Sequence, residues 1–295
     1  MPVPSLPHEL IDCIIEHARD DSHALAHCSL VRRPWRATAQ RELFYNFKVD
    51  ISRRPLASLI AFLSSSPDAC TETVHRAPIA SYVRHLTVRS AGKHECFGMI
   101  ISGCLPELTE SVPNLKTLTL EALRMEVDDS CAECSQHLYR VSLKDVVVQR
   151  GTADELVICL SSLYNLRALH LSNVSFENRD ELPAFPVLGP ECLETLTLRS
   201  RFMPPSLLDM FSHGTLKNLD IACYTPRDVY ALGHFLDTAG SALAHLALDL
   251  SRYLVKYPSG ACPAPPHIVL ALTLLQPPTR PWTGSRSAAA RRCAR

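Results

Sequence analysis

Apolar residues recur along this chain with two different spacings, and the switch from one to the other divides it. In LPHELIDCIIEHARDD, which starts at Leu6, the positions Leu6, Leu10, Ile11, Ile14, Ile15 and Ala18 fall on one side of a helix, with Glu9, Asp12, Glu16 and Arg19 largely elsewhere. Pro7 suits the first helical turn, where its missing N–H has no helical partner to lose. Ser22 offers an N-cap for a second helix, which carries Leu25, Cys28 and either Leu30 or Val31 at helical spacing until Pro34 interrupts. Pro34 itself opens a third helix, along which Trp35, Ala39, Leu43 and Phe47 recur every fourth residue. A further helix is expected after Pro55 from Leu56, Leu59, Ile60 and Leu63, closed by Ser64-Ser65-Ser66-Pro67, and a polar connector runs on to Pro78.

From Val83 the spacing changes. A three-point signature, apolar-x-x-Leu-x-apolar, begins at Val83 and returns at Leu115, Leu138 (with Val141 in the middle place), Leu166, Leu193, Leu216 and Leu243. The starts differ by 32, 23, 28, 27, 23 and 27 residues. Each copy puts two apolar residues in alternation, such as Leu169 with Leu171 or Leu196 with Leu198, as a strand with one buried face requires. Helical patterns fill the intervals at Phe97 to Leu108, Leu156 to Leu163, Leu207 to Phe211 and Val229 to Leu236. The copies resemble leucine-rich repeats of the strand-helix type. That resemblance implies an α/β fold, an irregular curved solenoid with a parallel sheet on its concave side. Four regions are expected: a helical module at 1–50, a helical connector at 51–80, the repeats at 81–257 and a Pro/Arg-rich tail at 258–295. Residues beside the alternating apolar pairs should line the sheet and contact a protein target; Arg89, Glu121, Lys144, His170, Arg199, Asp220 and Asp249 are the candidates. Both signs of charge occur among them, which suits a mixed polar protein epitope better than a groove that tracks phosphates.

Three helices within fifty residues build little private core, so part of their apolar surface is expected to belong to a neighbour. Leu6-Pro7-x-Glu9-Leu10, Ile14, Leu25, Cys28-Ser29-Leu30-Val31, Trp35 and Leu43-Phe44 follow one another in the order of an F-box, which the chain resembles over Pro4 to Phe47. Ala18 and the short Asp20-Asp21 link depart from bulkier forms of that motif. The stretch YVRHLT, Tyr82 to Thr87, looks like the beginning of the repeats in fungal-type F-box proteins. What this family implies is docking onto the Skp-type linker of a cullin-RING ubiquitin ligase, with the downstream repeats selecting the protein to be ubiquitinated. By that resemblance Leu6, Pro7, Leu10, Ile11, Ile14, Leu25, Val31, Trp35 and Leu43 are docking or module-core positions. The alternative is an amphipathic cap on the end of a repeat array that has nothing to do with ubiquitination.

Composition narrows the function classes. Hydrophobic residues make up 46% and charged residues 20% of the 295, an ordinary balance for a folded chain. Thirty basic residues against thirty acidic ones leave no net charge to draw the chain to nucleic acid or an anionic membrane, so neither is an expected partner. With no basic start followed by an apolar run, and no apolar stretch near about 18 residues, a soluble protein of the cytoplasm or nucleus is expected. The twelve cysteines are scattered through apolar segments and read as reduced, mostly buried thiols. Cys131, Cys134 and His137 form C-x-x-C-x-x-H, but the second ligand pair of a structural zinc site is missing; neither metal nor cofactor is expected. No G-x-S-x-G, phosphate loop, H-E-x-x-H or dinucleotide glycine fingerprint occurs, and His85, His170 and His245 read as surface positions of strands. A non-enzymatic role is therefore expected. After Asp249 the chain has no acidic residue, and seven prolines lie from Pro258 to Pro281, so the end reads as a disordered basic tail.

Overall fold

The computed structural model describes residues 6–31, 33–52, 55–64, 79–90, 99–101, 104–127, 137–149, 151–177, 189–201, 207–211 and 215–251. The tail beyond 251 and the Cys131–Cys134 spacing lie outside these residues.

Three helices form where the spacing predicts them: α1 (His8–His17), α2 (Ser22–Val31) and α3 (Arg33–Tyr45). Their shared core is small, with Ile11, Ile15, Leu25 and Ala39 buried and Ala18, Cys28, Trp35 and Leu43 half-buried around them. Polar ties hold α1 and the turn after it to α3: Arg19 Nε meets Glu42 Oε2 at 3.2 Å and Thr38 Oγ1 donates to Asp12 Oδ1 at 3.0 Å. The cap of α2 is Asp21 and not Ser22. Its Oδ1 accepts from the backbone N–H groups of His23 and Ala24 at 2.9 and 3.0 Å, and a carboxylate answers the positive end of a helix better than a hydroxyl does.

The third helix stops two residues earlier than the four-residue stripe implies. Phe47 belongs to β1 (Asn46–Asp50), which follows α3 without a break. Phe47 and Val49 point to the main core, and β1 lies parallel to β2 (His85–Arg89) with Phe47 beside Leu86 and Val49 beside Val88. Strand pairing overrides helical spacing here because it packs both side chains, half-buried, against the main core. The residues expected to end the helical module therefore open the sheet.

Beyond α4 (Leu56–Ser64) and a 3-10 turn at Ile79–Ser81, each of the seven signatures leads into a strand. These are β2, β4 (Thr117–Glu121), β6 (Arg140–Lys144), β8 (Ala168–Ser172), β10 (Thr195–Arg199), β11 (Asn218–Ala222) and β12 (His245–Asp249). A second set of short strands follows at the turns: β3 (Met99–Ile101), β5 (Arg124–Glu126), β7 (Val147–Gln149) and β9 (Ser175–Phe176). The long strands make one open parallel sheet in the order β1-β2-β4-β6-β8-β10-β11-β12, and the short ones a second in the order β3-β5-β7-β9. Each strand thus pairs with the next of its own set, as a chain that advances one strand per repeat must. Helices α5 (Cys104–Ser111), α6 (Ala153–Ser161) and α7 (Pro226–Ala239) cover the apolar face together with α4. The fold is α/β with seven helices among the described residues. The helical pattern at Phe97 to Leu108 is half wrong, since Met99–Ile101 is a strand, and the pattern at Leu207 to Phe211 shortens to a 3-10 turn at Asp209–Phe211.

The core is one continuous cluster in which Leu86, Leu118, Val141, Leu169, Leu196 and Leu219 stack in register. Where β4, β6 and β8 lead into β5, β7 and β9, Ala122, Asp145 and Asn173 turn the chain with φ of 53°, 53° and 52°. Their N–H groups bond to Lys144, Ser172 and Arg199 carbonyls at 2.9, 2.9 and 3.0 Å, and Asn173 Nδ2 donates to Asp145 Oδ1 at 2.9 Å. Asn and Asp tolerate this left-handed region better than other side chains. Asn173→Ala loses both the tolerance and the bond, so a loss of about 1–2 kcal/mol is expected in urea unfolding. Asn173→Gly, which relieves the backbone alone, should fall between.

Candidate interaction surfaces

The helical module divides its apolar side in two. Ile11 and Ile15 turn inward at 3% and 0% exposure, while Leu6, Leu10 and Ile14, one helical ridge away, are 48%, 50% and 43% exposed. Leu30 and Val31 at the end of α2 are more open still, at 77% and 61%. Of the positions expected to serve docking or the module core, Leu25 is buried inside, Trp35 and Leu43 are half-buried against it, and Pro7 is exposed as the residue before α1. One side of α1, expected to carry six equivalent apolar positions, is thus an inner row and an outer row. Five large aliphatic side chains in an exposed module of this size exceed the scattered apolar residues a free surface ordinarily carries.

The second surface is the open face of the long sheet, where burial of the second and fourth residues in β2, β4, β10 and β11 leaves the first, third and fifth facing outward; β1 and β12 half-bury the same two places, and Ser142 on β6 and Ala168 on β8 are buried as well. The expected target-contact residues do not form one line there. Arg89, Glu121 and Lys144 stand in register at the fifth position, flanked by Asp50 on β1, with Arg199 further along in register with Ser172. Asp249 ends β12 beside Ala222. His170 and Asp220 sit two residues earlier, at the third position, in register with Thr197. Charges along the fifth-position row alternate, Asp50, Arg89, Glu121, Lys144, so neighbours about 4.8 Å apart offset one another. Arg199 spends its charge across the rows: Nη2 meets Asp220 Oδ2 at 2.8 Å and Nε meets Oδ1 at 3.4 Å. His170 Nδ1 lies 2.9 Å from Thr197 Oγ1. Burial first, then the charges of Arg140 and Lys144, hold His170 below the usual histidine pKa, with Asp220 opposing. It is therefore mostly neutral at pH 7.

No protein-family model matches this chain, and no curated protein matches it.

A basic edge at the strand starts was not among the expected contacts. In the copies that begin at Val83, Leu115, Leu138 and Leu166 the first and fourth residues are inside and the second faces out, as does the third except in the last of them, where Ala168 is buried. The second signature places hold Arg84, Lys116, Tyr139 and Arg167, and the third signature places that open β2 and β6 hold His85 and Arg140. The signal was available as Arg-His-Leu, Lys-Thr-Leu and Arg-Ala-Leu ahead of each strand. Alternation alone conceals it, because two outward residues in succession break the two-residue period.

Six described cysteines are free thiols; Cys159 and Cys223 are buried, Cys28 and Cys104 half-buried, and Cys13 and Cys192 exposed. The expectation of mostly buried thiols is thus only partly met among them. Burial pushes the Cys223 thiol up to about 12, which keeps it protonated and unreactive. Among the described residues no three His, Cys, Asp or Glu side chains gather as a metal site, and no helix is long and apolar enough to cross a membrane.

Proposed function

We propose that this chain is a substrate-recognition adaptor of an SCF-type ubiquitin ligase: an F-box over α1 to α3 docks on the Skp-type linker, and a leucine-rich-repeat solenoid holds the protein target. The observation that carries this reading is the outer row of the helical module. A core of Ile11, Ile15, Leu25 and Ala39 leaves Leu6, Leu10, Ile14, Leu30 and Val31 open, a division that serves a partner and not the module. In this role the chain is not an enzyme and needs no cofactor. The cullin-RING machinery transfers ubiquitin, and the adaptor supplies proximity by raising the effective concentration of target lysines. Its place is the cytoplasm, the nucleus or both, with the linker and one or more target proteins as partners and neither membrane nor nucleic acid required.

A second reading is a leucine-repeat binding scaffold whose helices only cap the array. It draws on the unbroken run of α3 into β1 and on Phe44, Phe47 and Val49, which pack against the main core. Co-expression with a Skp-type linker separates the two. The adaptor reading expects one complex on size exclusion, with Leu6→Asp plus Leu10→Asp eluting free of linker yet folded. Wild-type chain that elutes folded and alone beside the linker leaves the cap.

A further inference from the structure

The outward residues at the beginning of the long strands are held in a fixed stack by the backbone. The carbonyls of Arg84, Lys116, Tyr139 and Arg167 each accept two N–H groups from the next strand: Lys116 and Thr117 at 2.8 and 3.1 Å, Tyr139 and Arg140 at 3.0 and 3.1 Å, Arg167 and Ala168 at 2.9 and 3.0 Å, and Glu194 and Thr195 both at 2.9 Å. Four neighbouring strands therefore present Arg84, Lys116, Tyr139 with Arg140, and Arg167 at one level. The Tyr45 ring, at the end of α3, lies 5.1 Å from that of His85 at the beginning of β2. Arg167 stands 5.8 Å over the Tyr139 ring, which orients one cation on an aromatic face that is itself 40% exposed.

This edge differs in kind from the far ends of the strands. Among the described residues no carboxylate pairs with Arg84, Lys116, Arg140 or Arg167. Glu194, next in the stack, is engaged by Lys217 at 3.4 Å, and Glu42 by Arg19 and Arg41 at 3.2 and 3.3 Å. Lys116, Arg140 and Arg167 are exposed. His85 reports the local field: its pKa is lowered by burial first and then by Arg140, Lys116 and Arg19. Among the described residues, positive charge is thus concentrated here with no paired carboxylate, on a chain whose net charge is zero.

We propose that this edge, Arg84 to Arg167, binds an acidic stretch of a target polypeptide running across the strands. Four strands about 4.8 Å apart span about 14 Å, the length of about four extended residues. The cations form a line, one strand after another, and do not converge on a point as Arg side chains do around a single phosphate. Spread single charges fit a run of carboxylates. The proposal rests on reading the sheet as the target-binding part of the adaptor.

The test uses the complete chain and a fluorescein-labelled peptide with four consecutive glutamates between Gly-Ser flanks, read by anisotropy. The glutamate peptide should bind, weaken as salt rises, and bind at least about tenfold better than its glutamine counterpart. Lys116→Ala with Arg140→Ala should lose at least about tenfold, whereas Arg41→Ala with Arg227→Ala, two exposed cations on α3 and α7, should lose little. Circular dichroism melts of both variants verify that the fold is kept, and Lys116→Glu with Arg140→Glu should gain binding to the matching tetralysine peptide. Equal binding of glutamate and glutamine peptides, or an unaffected Lys116/Arg140 variant, overturns the proposal. So does tighter binding of a singly phosphorylated serine peptide or of an oligothymidylate. Linker capture is scored on the same proteins: its loss with peptide binding intact removes the ligase reading alone, and the reverse removes this site alone.

Discussion

Leu169→Ala is expected to cost about 3–5 kcal/mol, enough to leave the sheet marginal or unfolded at 37 °C. Leu169 is fully enclosed on β8, in register with Val141 on one side and Leu196 on the other, and its neighbours along the strand, Ala168 and Leu171, are buried too. Truncation leaves a cavity between two flanking strands whose backbones are fixed by ladder bonds, so the site cannot collapse to fill it. Because each long strand pairs only with the two beside it, the damage starts at β8 and divides the sheet into β1–β6 and β10–β12. Urea unfolding followed by circular dichroism should show a lowered midpoint and a broader or split transition. Thr87→Ala on the open face should stay within about 0.5 kcal/mol. If Leu169→Ala matched Thr87→Ala, the continuous core would not be what holds the strands together.

The strands were legible because their signature combines two periods. One apolar residue fixes the beginning of a strand and two more, alternating, fix its face; all seven copies from Val83 to Leu243 become strands of one sheet. The copy that opens the sheet was missed. Phe44-x-x-Phe47-x-Val49 has the same three-point form, but with phenylalanine in the leading places it also fits a four-residue helical stripe from Trp35, and only pairing with β2 decides between them. The short strands β3, β5, β7 and β9 have two or three residues each, too few to show any alternation. The candidate contacts were legible as outward residues and not as a surface. Sequence places Arg199 and Asp220 in separate repeats, and only the pairing of β10 with β11 lets them meet diagonally, fifth position to third, at 2.8 Å. Likewise Arg84, Lys116 and Arg167 lie 32 and 51 residues apart in sequence and become a row only when the strands are stacked.

Two adjacent residues separate docking from folding more sharply than any other pair. Ile15 is wholly buried in the small core between α1, α2 and α3, whereas Ile14 is 43% exposed on the outer row. Ile15→Asp puts an unpaired carboxylate among Leu25, Ala39 and Ile11. The expected cost of several kcal/mol exceeds what so small a core supplies. The helical module should unfold, seen as rapid amide exchange and tryptic cleavage near Arg19 and Arg36, while the core of the sheet, a separate cluster, keeps its protection. Ile14→Asp adds a charge that stays in water, so melting should move by no more than about 0.5 kcal/mol. Its effect is reserved for a partner: a carboxylate driven into an apolar interface should lower linker capture by two orders of magnitude or more, about 3 kcal/mol. Both variants should therefore lose the linker, one with its helices melted and one with them intact. An Ile14→Asp chain that captures linker as well as wild type would show that the outer row of α1 is not the docking surface, whatever Ile15→Asp does.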